Sequence, residues 1–129
     1  MDVSKIDMAY LCDAGAVMTV KHPITKKDTD WKVKCAGIES AAYRKKSVEI
    51  RKSVTIGKPS KETWHDATNR QIDLYSSCIV SWSGLEDNGK EVECNPENIK
   101  RFMEQDWFYT QVSAFVDDLK NFFTNSGEG

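Results

Sequence analysis

The residues with the most chemical potential cluster between Ser83 and Pro96, where SGLEDNGKEVECNP packs Glu86, Asp87, Glu91 and Glu93 with Asn88, Asn95 and Cys94. Four carboxylates in so short a span raise calcium as the first possibility. A calcium loop of the helix–loop–helix type needs oxygen ligands at alternating positions, glycine at the sixth and a bidentate glutamate at the twelfth. With Gly89 at the sixth position, Gly84 falls at the first and Asn95 at the twelfth. Neither supplies the required ligand, so the stretch reads as a linker in which Asp87-Asn88-Gly89 tolerates positive φ and closes a tight turn.

The other reactive side chains are scattered. Cys12, Cys35, Cys78 and Cys94 contain no C-x-x-C pair, and His22 and His65 lie far apart, which is not a zinc pattern. His65 precedes Asp66, but adjacent residues on a helix point in different directions and make a poor acid–base pair. There is no phosphate-binding glycine loop, no dinucleotide fingerprint and no G-x-S-x-G elbow. These residues imply a non-enzymatic protein with no cofactor and no metal.

Charge is the stronger pattern. The net charge is only -2, yet residues 21–61 carry twelve Lys or Arg against four acids, and residues 84–129 carry ten acids against four bases. Arg44, Lys45, Lys46, Arg51 and Lys52 form a basic side on one expected helix, and Glu86, Asp87, Glu91 and Glu93 form an acidic counterpart. Both are candidate partner-binding surfaces, and their opposite signs suit head-to-tail self-association. The basic helix lacks interleaved aromatics for stacking bases, so nucleic acid is the weaker reading, kept as a small DNA-binding regulator.

The elements that must carry these surfaces follow from periodicity. At 129 residues, 40% hydrophobic and 29% charged, the chain fits one globular domain, expected over 1–123 with a flexible tail at 124–129. Ala16 to Val20 and the alternation Trp31-Lys-Val-Lys-Cys35 predict a β-hairpin over about 16–36. Beyond it the spacing predicts about four helices over 39–123: one from Glu39 to Thr55 stopped by Gly57-Lys-Pro59, a long one capped at Ser60 and running to about Ser83, a short one opened by Asn95-Pro96, and one capped at Asp106 and running to Phe123. The fold class read this way is mainly α with a small N-terminal hairpin. Trp64, Trp82, Trp107, Phe115 and Leu119 fall on the apolar stripes and are expected in the core. Asp2, Lys5 and Asp7 interrupt any secretory signal, and no run approaches a membrane span, so a cytoplasmic protein with reduced cysteines is expected.

One resemblance covers most of the chain. The order Ser81-Trp82-Ser83-Gly84-Leu85, Asp87-Asn88-Gly89, Asn95-Pro96-Glu97-Asn98, Trp107, Gln111-Val112, Phe115, Asn121-Phe122, preceded by His22-Pro-Ile-Thr25, resembles the tail assembly chaperones of long-tailed bacteriophages, siphophages of the HK97 type. That resemblance implies a non-catalytic factor that binds the tape measure protein and helps recruit tail tube subunits. It would act in the host bacterial cytoplasm and be absent from the mature virion. A structural minor tail or head-tail connector protein is the rival expectation.

Overall fold

The computed structural model describes residues 7–56 and 64–127. Asp7 opens α1 (Met8–Ala14) by accepting from the Tyr10 N–H, and Gly15 closes it at φ +82°. Strands β1 (Ala16–Lys21) and β2 (Asp28–Cys35) form the expected hairpin. Their burial alternates, with Ala16, Met18 and Val20 facing Trp31, Val33 and Cys35 on one side of the sheet. The other face carries Val17, Thr19, Lys32 and Lys34 toward solvent.

Helix α2 (Ala41–Ile56) begins where Ser40, fully buried, accepts from the Tyr43 N–H and Asp13 accepts from the Ala41 N–H. Helix α3 (Trp64–Ser76) follows, and the chain then turns into β3 (Ile79–Ser83). β3 pairs antiparallel with β2, giving a three-stranded sheet in the order β1-β2-β3. Strands β4 (Glu86–Asp87) and β5 (Lys90–Glu91) make a second, two-stranded sheet. Helices α4 (Pro96–Met103), α5 (Asp106–Asp117) and α6 (Leu119–Gly127) complete the chain.

The expected mainly α class is therefore corrected. The described residues form six helices and five strands in two antiparallel sheets, an arrangement mixing α and β rather than four helices with one hairpin over 16–36. The largest error lies in the long helix expected to reach Ser83. Ser77 Oγ donates back to the Leu74 carbonyl at 2.6 Å and Cys78 N–H to Tyr75, which ends α3. The β-branched pair Ile79-Val80 then takes extended geometry because β2 offers a ladder, a partner invisible to local periodicity. The last helix is also split: Asp118 is extended (φ -93°, ψ 100°) and accepts from the Lys120 N–H, so it ends α5 and opens α6. Gln105 rather than Asp106 precedes α5. The expected tail at 124–129 overlaps α6 through Gly127, and 128–129 lie outside the described residues, as do the expected stop at Gly57-Lys-Pro59 and the cap at Ser60.

The main core lies between the inner sheet face and α3, α4 and α5, with Val33, Met103, Phe108, Val112 and Val116 at its centre. A smaller cluster of Leu11, Cys12, Ala16 and Phe122 packs α1 against α6. Gln111 on α5 closes one end of the β1 edge, taking the Lys21 N–H at 2.8 Å and giving its amide to the Lys21 carbonyl at 2.9 Å. A side-chain amide there imitates a neighbouring strand and blocks further pairing at Lys21. Gln111→Ala removes both bonds and is expected to cost about 1 to 3 kcal/mol in urea denaturation. A loss below a few tenths would show that water replaces the amide at no cost.

Candidate functional site

A cleft lined by aromatic side chains sits at the hairpin end of the sheet. Register slips there: Thr19 faces Lys32, but Lys21 faces Asp28, so Thr29, Asp30 and Trp31 together oppose Val20. The Thr29 hydroxyl fixes this bulge by donating to the Val20 carbonyl at 2.6 Å and accepting from the Trp31 N–H at 3.2 Å. Trp31 continues the inward alternation of Val33 and Cys35 into the core, where it stacks on Phe108 (4.6 Å between centroids, 3° between planes). It also meets the edges of Trp82 at 5.4 Å, Phe102 at 5.2 Å and Trp107 at 6.4 Å.

Around this cluster opens a cleft of about 520 Å³. Its walls are Val20–Pro23 and Thr29–Trp31 from the hairpin, Gly84–Glu86 after β3, Phe102 from α4 and Trp107 from α5. Gly84 has φ +82°, and a Cβ there would lie 2.0 Å from the Asp30 carbonyl oxygen. Only glycine lets β3 turn so close to β2. The indole N–H of Trp31, a residue only 5% exposed, is buried without a hydrogen-bond partner among the described residues. A buried donor left without an acceptor is rare in a folded protein.

The acidic stretch becomes the rim. Asn88 (φ 55°) and Gly89 (φ 82°) make the two-residue turn of a β4–β5 hairpin in which Asp87 faces Lys90, as the D-N-G signal predicts. Two bonds tie this hairpin to the cleft: the Val92 N–H donates to Leu85 O at 2.9 Å, and Trp82 Nε1 donates to Val92 O at 2.9 Å. Asn95 caps α4 through the Asn98 N–H, and Asn98 Nδ2 reaches back to Glu93 O. Glu86, Asp87, Glu91 and Glu93 are all exposed. Asp87 meets Arg101 at 3.8 Å, an exposed pair of little energetic consequence, while Arg101 lies over the Phe102 ring. Among the described residues, Glu86, Glu91 and Glu93 have no ion-pair partner, so the rim keeps its negative charge.

The basic candidates lie elsewhere. Arg44, Lys45, Arg51 and Lys52 are exposed on α2, Lys46 is half-buried, and Arg44 pairs with Glu39. No ion pair joins them to the acidic hairpin among the described residues. Of the expected core residues, Trp82, Trp107, Phe115 and Leu119 are half-buried and pack on the two clusters; the Trp64 side chain lies outside the described residues. Sequence reasoning missed Trp31 as a site residue. Its inward place in the Trp31–Cys35 alternation was the available signal, but nothing local reveals that four other rings converge on it.

The thiols are sequestered. Cys12, Cys35 and Cys78 are buried, and burial pushes the Cys35 and Cys78 thiols up to about 12, with the Cys94 thiol raised for the same reason. Among the described residues, no three His, Cys, Asp or Glu side chains group as metal ligands, and no helix is long and apolar enough to cross a membrane. Comparison with protein-family models, curated proteins and solved structures finds no match to this chain.

Trp31→Ala is expected to cost about 3 to 5 kcal/mol by denaturant unfolding, because it removes a fully packed ring. Trp107→Ala, at a half-buried position, should cost less; equal losses would mean that the cleft mouth is core. Because the folded state holds Cys35 and Cys78 neutral, their contribution is complete below about pH 9 and is lost as pH rises from there to about 12, where unfolded thiols ionise and folded ones do not. At pH 8, Ellman's reagent should label half-buried Cys94 first, and Cys12, Cys35 and Cys78 only as the protein opens. Four equal rates would contradict this burial.

Proposed function

We propose that this chain is a non-enzymatic tail assembly chaperone of a long-tailed bacteriophage, binding the tape measure protein and helping to recruit tail tube subunits. The observation that carries the reading is the cleft around Trp31. Its floor of Trp31, Phe102 and Trp107 accepts apolar side chains, and its rim at Glu86 and the β4–β5 hairpin favours basic flanks. An amphipathic helix presenting apolar anchors with Lys or Arg beside them matches both features. A tape measure protein, long, helical and prone to aggregate, offers many such segments.

The resemblance gains support from where its residues fall. Trp82, Gly84, Leu85, Asn88-Gly89, Asn95, Asn98 and Trp107 all build or brace the cleft and its hairpin. Gln111 fixes the adjoining end of β1, and the Asn121 amide holds the Phe115 carbonyl at 3.0 Å. The residues from Trp82 to Trp107 thus meet around the cleft, whereas Phe115, Asn121 and Phe122 lie toward the smaller α1–α6 cluster. Neighbouring copies would meet through the basic α2 of one and the acidic hairpin of the next, giving head-to-tail association on the tape measure. The chaperone would act in the host bacterial cytoplasm and leave before the virion matures.

Co-expression with the tape measure protein of the same phage should yield a complex on affinity purification. The double charge reversal Glu86→Lys, Glu91→Lys should weaken it at least about tenfold while leaving the folded spectrum unchanged, as expected for loss of rim complementarity. Failure of the wild-type chain to retain any tape measure would refute the proposal. Its abundance in purified virions, measured by mass spectrometry, would instead favour a minor tail or connector protein.

A further inference from the structure

Strand β1 is an edge of the three-stranded sheet, and its hydrogen bonds show which backbone groups face outward. The Val20 carbonyl accepts from Thr29 and the His22 N–H donates to the Lys27 carbonyl, so both residues pair across the hairpin. Lys21, between them, sends its N–H and carbonyl the other way, to Gln111. Alternation along the strand then turns the N–H and carbonyl of Thr19 and Val17 out from the same edge. These groups have no partner among the described residues. Beyond them lies a groove of about 440 Å³ between β1 and the end of α5, floored by Ala114 and half-buried Phe115 and closed at Lys21 by Gln111. A groove with a strand edge on one side and a helix on the other suits an extended peptide that adds a strand. The Gln111 amide already occupies one rung in that manner.

Charge decides which kind of segment fits. Lys32 reaches across the outer face and donates to Thr19 Oγ1 at 3.0 Å, which brings its ammonium over β1 itself. Lys34 stands opposite Val17 in the ladder, and neither lysine has a carboxylate partner among the described residues. Asp28 also lines the groove but is held by Lys21. An added strand lies about 4.8 Å from β1, so its outward side chains come within reach of the Lys32 ammonium while the alternate ones face Ala114 and Phe115. Acids belong on the outward positions and apolar residues on the inward ones.

We infer that the β1 edge binds an extended segment of a partner protein in which acidic and apolar residues alternate, adding it to the sheet at Val17 and Thr19. The site is separate from the aromatic cleft, so its failure leaves the chaperone reading untouched. The test is an amide-resolved NMR titration of the whole chain with capped heptapeptides in which valine and glutamate alternate. The Val17, Thr19, Ala114 and Phe115 amides should shift, and those of Trp31 and Trp107 should not. Methylating the glutamate nitrogens removes the peptide N–H groups that pair with β1 and should abolish binding, whereas methylating the valine nitrogens, which point away, should not. Lysine in place of glutamate in the peptide, or Lys32→Gln, Lys34→Gln in the chain, should weaken binding about fivefold or more. Lys32→Arg, Lys34→Arg should retain it, which separates loss of charge from misfolding. Absence of shifts at Val17 and Thr19, equal binding of the two methylated peptides, or unchanged affinity in the glutamine variant would each overturn the inference. The same shifts on raising protein concentration alone would also overturn it, because a second copy would then hold the edge.

Discussion

Burial of Trp31 is the constraint on which the rest of this fold depends. Its ring enters the core by the same alternation that buries Val33 and Cys35, and the bulge beside it, where Thr29 bridges Val20 and Trp31, ends the regular ladder there. Once inside, the indole stacks on Phe108 from α5 and meets Phe102 from α4 and Trp82 from β3. One side chain therefore aligns the sheet with two helices. Aromatic pairs of this kind add about 0.5 to 1.5 kcal/mol each beyond area burial. Its indole N–H, left without a partner among the described residues, is the cost of that position.

The consequences run outward to the surface. Next to Trp31, Gly84 passes against the Asp30 carbonyl, and the chain leaves β3 directly beside the cleft. The β4–β5 hairpin then stands over the mouth, held by the Trp82 and Val92 bonds. An acidic, solvated hairpin and an apolar floor are thus presented side by side, which is the usual division of an interface into a polar rim and an apolar centre. The basic helix α2 belongs to a separate surface, braced on α3 through Tyr43 and Tyr75, whose hydroxyl bonds to Asp117 on α5.

What could be read from sequence was what is decided locally. The β1–β2 hairpin follows from alternation, the Asn88-Gly89 turn from positive φ, and the start of α4 from Asn95 and Pro96. Ile79 to Ser83 could not be read that way. Cys78 and Trp82 also fit a helical stripe, and only pairing with Val33 and Lys34, far away in the chain, decides for a strand. The break at Asp118 was hidden for a similar reason: Phe115 and Phe122 still meet at 5.6 Å across it, so the stripe continues though the helix does not. The acidic half of the candidate surface was legible as composition. Its aromatic half was not, because Trp31, Phe102 and Trp107 come from three different elements.

The central claim is that the aromatic cleft under the acidic hairpin is where a helical partner docks. Hydrogen–deuterium exchange of the chain with and without the tape measure protein tests it most directly. Docking in the cleft predicts added protection at 84–92 and 102–108 and at the hairpin end near His22 and Trp31, whether or not α2 also gains protection from head-to-tail contacts. Protection confined to α2, or none at the cleft in a complex that demonstrably forms, would contradict it.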